Sequence, residues 1–184
     1  MKKTKLIDFV NDKFTDKNTR HSYIEVYDKL FQPLRYKAEN ILEIGIRKGG
    51  SIKMLHDYFE KATITAIDNK DDFPITFLRN LDRVHLHFQD AYNIDFINSL
   101  DRKYDIIIDD GPHTFESQLF FLDHYTKIIN ENAIVVVEDV KGVDSAKELI
   151  GLTTSNLDYE IIDLNHERPN AKGGHMDNIL IVGR

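Results

Sequence analysis

The sequence predicts an α/β fold: one seven-stranded, mostly parallel sheet with an antiparallel last strand, plus N-terminal helices. Three observations carry this. From residue 40 onward, apolar runs bounded by turn residues alternate with stretches of helical period. Three of the strand runs, "YDIIIDD" and "AIVVVED" among them, are near-continuous and β-branched, as expected where helices cover both faces. The last two, "YEIIDLN" and "NILIVG", have no helix between them and should pair antiparallel.

Each element follows in order. Leu6, Phe9, Val10 and Phe14 recur at helical spacing and predict an amphipathic N-terminal helix rather than a signal peptide. A polar loop, "TDKNTR", leads to "HSYIEVYDKLFQPL", with Tyr23, Val26, Tyr27, Leu30, Phe31 and Leu34 on one helical face. The first strand, "ENILEIG", runs through a glycine turn into the helix "SIKMLHDYF". "ATITAID" is a strand, "PITFLRNL" a short helix opened by Pro74, and "RVHLHFQD" a strand. "NIDFINSL" is a brief helix, and "YDIIIDD" the fourth strand. "TFESQLFFLDHYTKII" is a helix with Thr114 at its start; "AIVVVED" and "DSAKELIGL" complete the last strand–helix pair. The reading is a single domain over 1–184, with 1–39 as a helical extension or lid and 40–184 as the core.

Composition narrows the function. The 184 residues carry a formal net charge of −7, from 24 basic and 31 acidic side chains, which argues against a general nucleic-acid binder. The absence of cysteine excludes disulfides and thiolate metal sites, so metal chemistry would use carboxylates and histidines. The longest strongly apolar run, Ala133–Val137, is far too short to span a bilayer, and the expected location is cytoplasmic.

In doubly wound sheets, ligands bind outside the carboxyl ends of the strands. Here those ends read Glu43-Ile44-Gly45, Asp68, Asp90, Asp109-Asp110 and Glu138-Asp139. A carboxylate at or next to each of five strand ends is hard to ascribe to turn chemistry alone. In "LEIGIRKGGS", Gly45 permits close backbone approach, and Gly49 and Gly50 free a helix N-terminus. Arg47 stands where the dinucleotide fingerprint needs glycine, which disfavours a nicotinamide oxidoreductase. Asp68 is placed to accept ribose hydroxyls, and Asp90 to face an adenine amino group.

Asp109 and Asp110 are consecutive, so their side chains should point to opposite faces, one toward a nucleoside and one toward an acceptor. Gly111-Pro112 then turns the chain, and His113 precedes a helix. If the fourth and fifth strands are neighbours, about 4.8 Å apart, Asp110, Glu138 and Asp139 converge. Such a cluster is repulsive unless a hard divalent cation neutralises it: Mg²⁺, or in its place Mn²⁺ or Ca²⁺. His113 has the pKa range of a general base near neutral pH.

The segments "EIGIRKGGS…AID…FQDA" resemble the S-adenosylmethionine site of the Rossmann-like class I methyltransferases. "TDKNTRHSYIEVY", "IDDGPH" and "VED" extend the resemblance to a subgroup: the metal-dependent macrolide sugar O-methyltransferases and the cephalosporin-hydroxylase-like proteins. The resemblance implies a methyl donor held by Lys17, Tyr23, Glu43, Gly45, Arg47, Ser51, Asp68, Asp90 and Asp109, with Lys17 or Tyr23 near its carboxylate under a lid. It implies Asp110, Glu138 and Asp139 as metal ligands and His113 as catalytic base. The expected acceptor is a small molecule, a sugar or glycan; the alternatives are a catechol or phenol, or a non-catalytic donor-binding protein. In "HERPNAKGGHMD", His166, Arg168, Lys172 and His175 are candidates to grip that acceptor. The length leaves little room for a separate acceptor domain, so a homo-oligomer completing the pocket is a further expectation.

Overall fold

A computed structural model describes residues 4–71, 74–165 and 178–184. The described strands are β1 (Asn40–Ile44), β2 (Thr63–Asp68), β3 (Val84–Phe88), β4 (Tyr104–Asp109), β5 (Ile129–Val137), β6 (Tyr159–Asp163) and β7 (Ile179–Gly183). They form one sheet in the order β3-β2-β1-β4-β5-β7-β6. β7 runs antiparallel to both of its neighbours, as its helix-free connection requires. The helices are α1 (Tyr23–Phe31), α2 (Gly50–Tyr58), α3 (Ile94–Ser99), α4 (Phe115–His124) and α5 (Val143–Leu152).

Two apolar layers sandwich the sheet, and side-chain alternation decides which residue enters which. Ile41, Ile106, Ile108 and Val136 pack toward α1, α2 and the N-terminal segment. Leu42, Ile44, Ile107, Val135 and Val137 pack toward the opposite layer, with Phe121 and Leu122 of α4 and Leu149 of α5. The central strands are buried on both faces, which explains their continuous apolar sequences.

Register places the site. Ile44 pairs with Ile67 and with Asp109, and Asp109 pairs with Val137. The ladder continues one step further: Gly45 N donates to Ile67 O, Asp110 N to Ile44 O, and Glu138 N to Asp109 O. Gly45, Asp68, Asp110 and Glu138 therefore stand in one row along the carboxyl edge.

Three elements differ from the sequence expectation. The N-terminal amphipathic helix is only a 3₁₀ turn, Leu6–Phe9. Its start is capped, the Asp8 carboxylate accepting the backbone N–H of Thr4 and Lys5, but the turn ends at Val10, whose backbone is extended. "PITFLRNL" likewise holds only a 3₁₀ turn, Leu78–Asn80, because so short a segment gains too few hydrogen bonds to repay helix nucleation. β5 begins at Ile129 rather than Ala133, its extra residues absorbed by a register shift opposite Tyr104–Ile106 and a left-handed Asn132.

Candidate active site

A cavity of about 700 Å³ opens along the carboxyl edge from β1 to β5. Its floor comes from the strand-end turns: Gly45–Lys48, Asp68–Lys70, Asp90–Tyr92, Asp110–His113 and Asp139. Residues 12–16 and Arg20 cover it as a strap. The turns are unusually shaped. Arg47, His113 and Asp139, with φ of 45°, 55° and 54°, are three of the four described non-glycine residues with positive φ, and all three line the cavity. Such backbone is strained and concentrates at ligand sites.

On the nucleoside side, Asp68 Oδ2 accepts N–H groups from Ile46 and Arg47, and Oδ1 from Lys70, so its carboxylate stands fixed at the cavity floor. Asp90 Oδ1 accepts from Tyr92 N. Arg47 reaches up to the strap and pairs with Asp16 at 2.8 Å. Ser51 lines the wall, and its Oγ donates to Glu43 Oε2 at 2.9 Å.

The acids at the β4 and β5 ends form two linked groups. In the outer group, one donor atom each from Asp110, His113 and Asp139 lies within 4.8 Å of the others, and all three residues line the cavity. His113 Nε2 is 3.7 Å from Asp110 Oδ1 and 3.5 Å from Asp139 Oδ2. His113 Nδ1 is buried with no hydrogen-bond partner among the described residues. The inner group is Glu43, Asp110 and Glu138, also within 4.8 Å of one another. Lys17 Nζ lies among them, 2.6 Å from Asp110 Oδ2, 2.5 and 2.6 Å from the Glu138 oxygens and 3.4 Å from Glu43 Oε1.

Alternation explains the inner group. Glu43 shares the parity of Ile41, Asp110 that of Ile108, and Glu138 that of Val136, so all three face the layer that carries the N-terminal segment. Burial opposes the charge of Lys17, yet Asp110, Glu138 and Glu43 hold its pKa well above the ordinary value. Burial, together with neighbouring Asp110, raises Glu138 well above the carboxylate range despite Lys17. Burial pushes Glu43 up to about 7, against the pull of Lys17. Burial also raises Asp139, which His21 and a 2.6 Å hydrogen bond from the Tyr23 hydroxyl partly offset. Three carboxylates, Glu43, Asp110 and Glu138, thus share one lysine ammonium, and Asp139 lies beside them against Tyr23 and His21.

Several residues stand apart from their expected places. Lys17 and Tyr23, expected beside the donor's carboxylate, lie beneath the cavity and bind protein acids, because the turn at Asp16–His21 directs them inward. Glu43 also lies below the cavity wall. Asp109 does point away from Asp110, but into the opposite core layer, where it accepts from the Tyr92 hydroxyl at 2.6 Å rather than facing a nucleoside. Glu138 turns inward, its oxygens taken by Lys17 and the Tyr27 hydroxyl. His166, Arg168, Lys172 and His175 lie outside the described residues.

Sequence reasoning missed Tyr27 and Gln118, which hold Glu138 through its carboxylate and its carbonyl. Both sit on helical faces where packing alone accounts for them; the signal was a polar atom on an otherwise apolar, inward face. His21, which precedes α1, is buried with Nδ1 3.4 Å from Asp139 Oδ1.

The residues present fit a divalent cation. In the outer group Asp110 and Asp139 offer carboxylate oxygens at a cavity wall, with His113 beside them and excess negative charge behind. They also fit a nucleoside: the cavity has the size of a small-ligand site, with a fixed carboxylate at the end of β2.

Known proteins agree with this architecture. The 2'-O-methyltransferase of 8-demethyl-8-α-L-rhamnosyl tetracenomycin-C from Streptomyces olivaceus is 27% identical over 69% of this chain and 35% of its own length. The mycinamicin VI 2''-O-methyltransferase of Micromonospora griseorubida is 24% identical over 88% of this chain and 45% of its own. The chain therefore spans less than half the length of these relatives. A solved structure of the MycE methyltransferase with Mg and SAH superposes with a TM-score of 0.70 at 20% identity, covering 98% of this chain and 54% of that one. Fibrillarin of Aeropyrum pernix, solved with S-adenosyl-L-methionine, gives 0.64 at 14% identity, covering 83% and 68%. These likenesses fix the fold as that of a Rossmann-like methyltransferase. Residues 42–140, more than half of the chain, match the family described as a methyltransferase domain, and to that family the chain belongs.

Proposed function

We propose that the protein is an S-adenosylmethionine- and divalent-metal-dependent O-methyltransferase acting on a hydroxyl of a sugar or glycan. The observation that carries this reading is the shared cavity: Asp68 and Asp90 at one end, and Asp110, His113 and Asp139 at the other. The sugar O-methyltransferases among its relatives, one solved with Mg, SAH and mycinamycin VI, support the same class of acceptor.

When bound, the methyl donor supplies an electrophilic sulfonium methyl, and a divalent cation would acidify an acceptor hydroxyl. Asp110 and Asp139 would hold the cation. Glu138, expected as a third ligand, would join them only by exchanging its contact with Lys17. Asp68 and Asp90 would bind the ribose and the adenine edge, and Gly45, lacking a side chain, lets the turn beside the donor pack against the Asp110 carbonyl. His113 Nε2 would take the acceptor hydroxyl's proton, held for that task between Asp110 and Asp139. The strap of residues 12–16 would exclude water and orient the acceptor.

The test is methyl transfer from labelled donor to a panel of saccharide and catechol acceptors, with and without EDTA. The reading predicts transfer to a saccharide, loss in EDTA with recovery in Mg²⁺, and a drop of roughly 10²–10⁴-fold for His113→Ala. Full transfer in EDTA would remove the metal from the reaction; transfer confined to catechols would reassign the acceptor.

A further inference from the structure

Lys17 is 1% exposed, and among the described residues its ammonium meets three carboxylates. Those partners, Glu43, Asp110 and Glu138, themselves meet the spacing of a cation site. Asp110 belongs to both groups: its Oδ2 meets Lys17, while its Oδ1 faces His113 in the outer, cavity-lining group. The inner nest therefore already contains a cation, and that cation is part of the chain.

We propose that Lys17 is an internal competitor for the catalytic divalent cation, setting how tightly and how far inward that ion can bind. The inference deepens the proposed metal dependence and rests on it. An ammonium and a divalent ion sharing Asp110 repel one another, and the repulsion is strong where water is scarce. With Lys17 in place, the ion is confined to the outer group. Drawing Glu138 into coordination requires Lys17 to withdraw, which its flexible four-carbon stem permits. Lys17 also belongs to the strap: residues 12–16 immediately before it line the cavity, and its carbonyl accepts the N–H of Tyr23 at the start of α1. Withdrawal would therefore move the covering segment together with the ammonium. Lys17 is thus a positioning residue that acts on the metal rather than on the acceptor.

The experiment is Mn²⁺ binding to the full chain without donor or acceptor, by calorimetry and electron paramagnetic resonance, for the native protein, Lys17→Met and Lys17→Arg. Lys17→Met should tighten Mn²⁺ binding by about tenfold or more, and Lys17→Arg, which keeps the charge, should stay within about threefold of native. Equal or weaker binding by folded Lys17→Met overturns the proposal, since a residue that merely supports the ligands would give that result. If Lys17→Met does not fold, the native chain labelled at lysine Nζ decides: the protected Lys17 ammonium resonance should shift or disappear as Mg²⁺ saturates, and an unchanged resonance overturns the proposal. Mn²⁺ bound by Lys17→Met but not by the native chain supports the competition while rejecting metal-dependent transfer by the native protein. Binding by neither overturns it.

Discussion

Asp109 and Asp110 are neighbours in sequence and opposites in environment. Asp109 is buried against Tyr92 in one core layer, and Asp110 stands at the cavity between Lys17 and His113. Burial pushes Asp109 from the ordinary 3.8 up to about 7, against the pull of its bonds from Tyr92 and Gly111. A carboxyl whose folded pKa is raised binds its proton more tightly in the native state. Its contribution to stability is present below about pH 4 and is lost as pH rises through about 7. Asp109→Asn should therefore make the fall in stability between pH 4 and 7 shallower, measured by urea denaturation across that range. An unchanged slope would mean that Asp109 is ionised at little cost. At this scale the sequence was partly legible. Alternation foretold that the two aspartates diverge, but not that Asp109 meets Tyr92, because contacts across elements leave no local pattern. Lys17 is the clearest case: the resemblance set it beside the donor's carboxylate, and only the fold shows it enclosed by three acids of the protein.

The turn between β1 and α2 shows how an element is made for its site. Gly45 has φ +97°, and an added Cβ would lie 2.1 Å from the Asp110 carbonyl oxygen. The turn is thus pressed against the β4 end, which keeps Asp110 and the nucleoside side in register. Gly45→Ala should cost roughly 1–3 kcal/mol in denaturant unfolding, from left-handed strain alone, and the clash with Asp110 adds to it. A neutral effect would show that this edge is looser than its register implies. Strands and α-helices with full apolar periodicity were legible: β1, β2, β4 and α2 fall where the pattern puts them, while α4 starts as expected but gives way to a 3₁₀ turn after His124. The N-terminal segment was not, because the chain turns extended at Val10 after a single turn and the same apolar residues pack without a helix.

On the scale of the whole molecule, the parallel order β3-β2-β1-β4-β5 lines up strand ends that are distant in sequence, and it is this alignment that creates the cavity. The count of strand-end acids in the sequence located the edge, since each parallel strand must deliver its carboxyl end to the same side. It could not sort those acids into an outer, cavity-facing group and an inner one closed by lysine. That division depends on which layer the N-terminal segment covers. The most direct test is a crystal structure grown with S-adenosylhomocysteine and Mn²⁺. The prediction is a nucleoside against Asp68 and Asp90, with an anomalous manganese peak coordinated by Asp110 and Asp139. A nucleoside bound elsewhere, or no manganese at those two carboxylates, would contradict it.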